Sequence, residues 1–87
     1  MARVFLTRSA RTALEGLDYL RAQAVLDALA ELERDPRAGY RLRGRLAGLR
    51  SLRVGVYRII YALRDDDKTV RVVAIRHRGQ AYDTDPR

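Results

Sequence analysis

Between residues 49 and 76 the sequence passes through three segments rich in β-branched and aromatic side chains: Leu49 to Arg53, Val56 to Leu63 and Thr69 to Arg76. Only Val54-Gly55 and Asp65-Asp66-Asp67 punctuate them. Connections this short make antiparallel neighbours of successive strands, because a parallel pair needs a crossover of about a dozen residues or more. The C-terminal half therefore predicts a three-stranded antiparallel meander. Such a sheet needs cover on at least one face, and the N-terminal half has to supply it.

That half has the right pattern. Ala2 to Leu6, with Val4 and Phe5 inside it, reads as a strand ended by Thr7, Arg8 and Ser9. Ala10, Ala13, Leu14 and Leu17 then recur at the i, i+3, i+4, i+7 spacing of an amphipathic helix, with Ser9 or Thr7 placed to cap it. Gly16 weakens this helix, and a second begins around Asp18 to Leu20 with a stripe of Ala22, Val25, Leu26, Leu29 and Leu32. Asp35-Pro36 stops it, since proline disfavours helical geometry in the residue before it. The tight junction implies an antiparallel helical hairpin lying on the sheet. From Arg37 to Gly48, Gly39, Gly44 and Gly48 alternate with Arg37, Arg41, Arg43 and Arg45, a basic connecting segment. The tail from Gly79 to Arg87 is polar and too short for a further stable helix. The expected fold is α+β: a strand, a helical hairpin and a meander closing a four-stranded sheet. At 87 residues the chain is one domain, residues 1–87.

Composition narrows the chemistry. With Cys 0 and His 1 there is no disulfide framework, no thiolate nucleophile and no multi-ligand Cys/His metal site. Lys68 is the only lysine among 18 basic side chains, and against 11 acidic ones these leave a net charge of +7. Arginine matches phosphate with a planar fork of donors, so a polyanion or an acidic partner is the expected target. Met1 to Thr7 is too short and too charged for the apolar core of a signal peptide, and no apolar run approaches the ~20 residues of a membrane span. A cytoplasmic domain with no membrane association is expected.

If Val54-Gly55 is the hairpin loop, Arg53 stands opposite Val56, Ser51 opposite Arg58 and Leu49 opposite Ile60. Arg53 and Arg58 then share one face, while Leu52, Tyr57, Ile59, Tyr61 and Leu63 face the helices. Arg76 joins the arginines provided that Val73 and Ile75 point inward. His77, Arg78 and Tyr82 follow directly, adding a group that exchanges protons near neutral pH and an aromatic ring.

These residues carry a family resemblance. Leu6-Thr7-Arg8-Ser9-Ala10 with Ala13-Leu14, then Asp35-Pro36-Arg37, then Leu52-Arg53-Val54-Gly55-Val56-Tyr57-Arg58-Ile59-Ile60-Tyr61, and finally His77-Arg78 with Tyr82, in this order, resemble the RelE branch of the RelE/ParE superfamily of toxin–antitoxin toxins. The resemblance implies a toxin that enters the ribosomal A site and cleaves mRNA through attack of a ribose 2′-hydroxyl on the adjacent phosphate, without metal or other cofactor. On that likeness Arg58 is the central phosphate-stabilising residue, Arg53 a neighbouring basic position, Arg76 a further functional arginine that helps protonate the leaving group, and Tyr82 the C-terminal tyrosine. His77 is a candidate acid or base. Arg37, Arg41, Arg43, Arg45, Arg50 and Arg78 are the candidate RNA contacts. The implied partners are mRNA and the ribosome, an acidic RelB-like antitoxin in a hetero-oligomer, and operator DNA only through that antitoxin.

One position departs from the pattern. Ser51 lies where active members often carry Lys or Arg, which removes a candidate base; Arg50 is adjacent but alternates to the other face. Two other outcomes follow from the same superfamily: a ParE-like protein that poisons gyrase without cutting RNA, and a degenerate toxin that only binds its antitoxin.

Overall fold

Thr7 both ends the first strand and starts the first helix. Its backbone is extended, and its hydroxyl accepts the Ala10 N–H at 3.2 Å, so Thr7 rather than Ser9 is the cap. Asp18 does the same for the second helix by accepting the Arg21 N–H at 2.9 Å. The computed structural model describes all 87 residues. In chain order they form β1 (Arg3–Leu6), α1 (Arg8–Glu15), α2 (Tyr19–Arg34), β2 (Tyr40–Arg41), β3 (Arg50–Val54), β4 (Tyr57–Arg64) and β5 (Thr69–His77), with single 3₁₀ turns at Gly44–Leu46 and Arg78–Gln80.

The sheet has the order β1-β5-β4-β3-β2, with β1 parallel to β5 and every other pair antiparallel. The α+β fold and the meander are as the residue pattern predicts. The sheet gains a fifth strand because Tyr40 and Arg41, within the expected basic connection, pair with Ser51 and Arg50. Two residues are too few to show an alternating pattern, and tertiary pairing alone makes them a strand.

One face of the sheet lies under the helices. Ala10, Val25, Leu29 and Leu32 pack there on Ile59, Tyr61, Val70, Val72 and Ile75, with Leu52, Tyr57 and Leu63 at the margin. The expectation that Val73 also points to this side is corrected. Opposite β4 the register shifts from Ile60↔Ala74 to Tyr61↔Val72, leaving Val73 as an extra residue. The bulge turns Val72 toward the helices and sends Val73 to the other side with Ala74. There a second cluster forms, in which Leu46, Leu49 and Ala81 cover Ile60, Ala62, Val73 and Ala74. The arginine-bearing face of the sheet is therefore half roofed.

A buried phenol locks the α2 exit to the sheet. The Tyr61 hydroxyl accepts the Gly39 N–H at 2.9 Å and donates to the Pro36 carbonyl at 2.8 Å. Burial pushes this phenol above its ordinary pKa, as suits a group that acts here as a neutral donor. A Cβ on Gly39 would lie 2.7 Å from the Ser51 carbonyl oxygen and 2.8 Å from the Tyr61 hydroxyl, so only glycine lets the chain come this close. Tyr61→Phe leaves a buried N–H and carbonyl unpaired and is expected to lower stability by about 1–3 kcal/mol in urea unfolding. Gly39→Ala should cost at least as much, because rigid backbone rather than a flexible side chain meets the added methyl.

Candidate active site

The β3–β4 loop sits one residue later than the sequence pattern suggests, at Gly55-Val56. Gly55 takes φ +59 there, as the first central residue of a II′ turn does. The pairs become Arg53↔Arg58 and Ser51↔Ile60 instead of Arg53↔Val56 and Ser51↔Arg58. A shift of two preserves the facing of every side chain, so the predicted faces survive the change of register. Arg58 also pairs with Arg76 on β5. Arg53, Arg58 and Arg76 thus stand in one row across three adjacent strands, about 4.8 Å between neighbours.

No carboxylate neutralises this row: the ion pairs of the structure are Arg21–Asp18, Arg37–Asp67 and Arg87–Asp85. Nor do all three side chains fan into water: Arg53 is exposed and Arg76 half-buried, but Arg58 is only 9% exposed. Its Nη1 donates to the Tyr57 carbonyl at 3.0 Å and the Gly55 carbonyl at 3.3 Å. No buried side-chain nitrogen lacks a partner, so the Arg58 donors not taken by the loop open to the surface. Arg76 Nη1 donates to the Ala81 and Thr84 carbonyls at 3.2 and 2.8 Å, which draws the C-terminal tail over the sheet. The buried Arg58 charge is repelled by its like-charged neighbours on both strands, and an anion lodged among them relieves the repulsion.

The tail brings Tyr82 beside the row. Its hydroxyl lies 2.8 Å from Ser51 Oγ and 2.7 Å from the Tyr40 hydroxyl. Ser51, fully buried where a basic residue was the family expectation, is therefore one end of a chain of three hydroxyl groups. Tyr40 is the site residue that sequence reasoning missed. The only hint was an aromatic residue directly after Gly39 in an otherwise basic loop. The two phenols diverge: the hydrogen bond from Tyr82 above all holds Tyr40 below its ordinary pKa with help from the Arg58 charge, whereas burial first of all pushes Tyr82 up.

The remaining predicted residues separate into groups. Arg37, Arg41, Arg43 and Arg50 line one groove of about 800 Å³ together with Tyr40 and Asp67. Within it Arg37 pairs with Asp67, and Arg50 holds the Gly39 carbonyl at 3.1 Å, so both have structural partners. Arg45 donates to the Tyr82 and Asp83 carbonyls at 2.9 and 3.0 Å and fastens the tail instead of lining the groove. Arg78 lies apart from the groove in the 3₁₀ turn after β5. His77, the candidate acid or base expected just past the last strand, is instead the last residue of β5, and strand alternation puts it on the helix-side face, where its ring meets Tyr57 edge-on at 5.8 Å and its Nδ1 accepts the Gly79 N–H.

A helical hairpin on one face of a small mixed sheet and a row of unpaired arginines on the other define a basic domain of the RelE/ParE superfamily of toxins. The model of the ParE toxin family of type II toxin–antitoxin systems matches residues 4–82, and the chain belongs to that family. Toxin RelG of Mycobacterium tuberculosis is 38% identical over 78 residues, which cover 87% of this chain and 90% of RelG. A chain of the toxin–antitoxin complex RelBE2 from the same organism superposes with a TM-score of 0.81 at 37% identity, covering 88% of this chain and 98% of that one. The isolated E. coli RelE toxin superposes with a TM-score of 0.75 over 88% of this chain and 84% of its own; at 20% identity it shares the fold.

The divergence of the two phenols is measurable. In an ultraviolet titration of tyrosinate, Tyr82→Phe should raise the pH at which Tyr40 ionises, because the Tyr82 hydroxyl is the main cause of the lowering. An unchanged low-pH transition would show that the Tyr40–Tyr82 contact does not control it.

Proposed function

We propose that this toxin is a ribosome-dependent endoribonuclease that cleaves mRNA in the A site and is neutralised by a cognate acidic antitoxin. The observation that carries this reading is the Arg53–Arg58–Arg76 row, which has no carboxylate partner and lies beside Tyr82. In-line attack of a 2′-hydroxyl on phosphate builds negative charge on the non-bridging oxygens and on the leaving 5′ oxygen. Arg58, buried and aimed by the loop carbonyls, is the group to hold the scissile phosphate. Arg53 and Arg76 flank it on either side, with Arg76 toward the leaving group. Arg41 and Arg43 extend positive charge along the groove to backbone phosphates and ribosomal RNA.

The antitoxin follows from the same electrostatics and from the relatives. RelBE2 of Mycobacterium tuberculosis is a toxin–antitoxin complex. An acidic segment laid over the arginine row here would neutralise it and exclude RNA together. A gyrase poison is the second reading, favoured by the ParE description of the matching family and by Ser51 in place of a basic residue.

Controlled expression in bacteria beside Arg58→Ala and Arg58→Lys, with mapping of new mRNA 5′ ends within minutes, separates these readings. Cuts inside translated codons that fall at least about a hundredfold in Arg58→Ala are expected. Retained antitoxin binding shows that the variants fold. Growth arrest with intact mRNA and induced DNA damage would overturn the nuclease reading in favour of gyrase.

A further inference from the structure

The mechanism above lacks a group to take the proton from the 2′-hydroxyl. His77 faces the other side of the sheet, and Ser51 is buried with a neutral hydroxyl. Arginine stays protonated at any working pH. Two phenols remain on the arginine face: Tyr82 is half-buried with its hydroxyl engaged by both Ser51 and Tyr40, whereas Tyr40 is open to solvent and bound only at its Tyr82 side.

We propose that Tyr40 is a catalytic residue of this site: its phenolate oxygen takes the 2′-hydroxyl proton, with Tyr82 and Ser51 as positioning residues behind it. The proposal rests on the nuclease reading. Tyr40 pairs with Ser51 across β2 and β3, and Ser51 lies two residues before Arg53, so all three side chains emerge on the face of the arginine row. Tyr40 is 55% exposed and borders the basic groove, where an RNA strand can reach it. Its hydroxyl is fixed by Tyr82, which is itself fixed by Ser51. The chain runs in one sense when Tyr40 is ionised: Ser51 donates to Tyr82, and Tyr82 donates to the Tyr40 oxygen.

The surrounding charges favour that state. Arg58 from β4 is the cation that acts on the Tyr40 oxygen, while Arg41 and Arg50 alternate to the other face and Arg37 and Asp67 cancel one another. The lowered pKa of Tyr40 and the raised one of Tyr82 agree with this assignment of donor and acceptor. In the step itself the 2′-O–H bond breaks and its proton passes to the Tyr40 oxygen. The 2′ oxygen forms the new bond to phosphorus, and the P–O5′ bond breaks with its electron pair on the 5′ oxygen, which takes a proton from water. The hydroxide left behind recovers the proton from Tyr40, and the products are a 2′,3′-cyclic phosphate and a 5′-hydroxyl. A tyrosine carried on the edge strand thus does the work that a lysine at position 51 would otherwise do.

The test compares the parent chain, Tyr40→Phe and Tyr82→Phe in single-turnover cleavage of mRNA on programmed ribosomes between pH 6.5 and 9, with ribosome affinity measured alongside. Tyr40→Phe should lose about 10²–10⁴-fold in cleavage rate with unchanged affinity, and lose the rise of rate with pH that the parent shows. Tyr82→Phe should keep that rise but move it to higher pH, an effect that loss of packing alone would not produce. If Tyr40→Phe cuts as fast as the parent with the same pH profile, the assignment of Tyr40 is overturned while the nuclease reading stands. If the parent itself leaves mRNA intact, the nuclease reading falls and this assignment with it.

Discussion

The Tyr61 phenol reaches out of the central strand to hold the backbone that leaves α2, and the geometry of the site depends on that hold. Its two hydrogen bonds bring residues 36 to 39 down onto the sheet, and Gly39 permits the contact because no Cβ stands between it and the Ser51 carbonyl. Arg50 clamps the same segment from the side through the Gly39 carbonyl. Once Gly39 is fixed, Tyr40 has no choice but to continue along the edge of β3. The pairing of Tyr40 with Ser51, the contact with Tyr82 and the basic groove all follow from that single close approach. A core tyrosine, well away from any substrate, thereby sets the position of the exposed one.

The opposite face is organised by charge. Three arginines in adjacent strands without a carboxylate between them are an unfavourable arrangement for folding alone, and the chain offsets it with carbonyl oxygens. The loop carbonyls of Gly55 and Tyr57 receive Arg58, while the tail carbonyls of Ala81 and Thr84 receive Arg76. Carbonyl groups orient a guanidinium without cancelling its charge, so the row keeps its attraction for phosphate. The same contacts pull the C-terminal tail across the sheet, bury Ala81 in the second cluster and deliver Tyr82 to Ser51. Stability and site construction therefore use the same hydrogen bonds.

Much of this was legible in the residues themselves. The helical stripes, the meander and the division of β3 and β4 into an apolar and an arginine face all follow from periodicity, and the face assignment tolerated a hairpin loop displaced by one residue because the pairing moved by two. Three features were not legible. The bulge at Val73 arises from matching β5 to β4, and nothing local to Val72, Val73 and Ala74 announces it. The strand at Tyr40 and Arg41 exists only through its partner, so no propensity marks it. His77 was expected just past the last strand, but β5 runs through it, and alternation sends it to the face opposite Arg76. Tyr40 was missed for the same reason as its strand: its importance comes from Tyr82 and Ser51, far away in the sequence and adjacent only after folding.

The central claim is that the arginine row acts on mRNA held in the ribosome. The most direct measurement incubates the purified toxin with ribosomes carrying an mRNA of known A-site codon, with the same mRNA free in solution, and with gyrase and relaxed plasmid. The account predicts cleavage of the ribosome-bound mRNA at the A-site codon, with the free mRNA and gyrase unaffected. Intact mRNA on the ribosome together with inhibited supercoiling would contradict it.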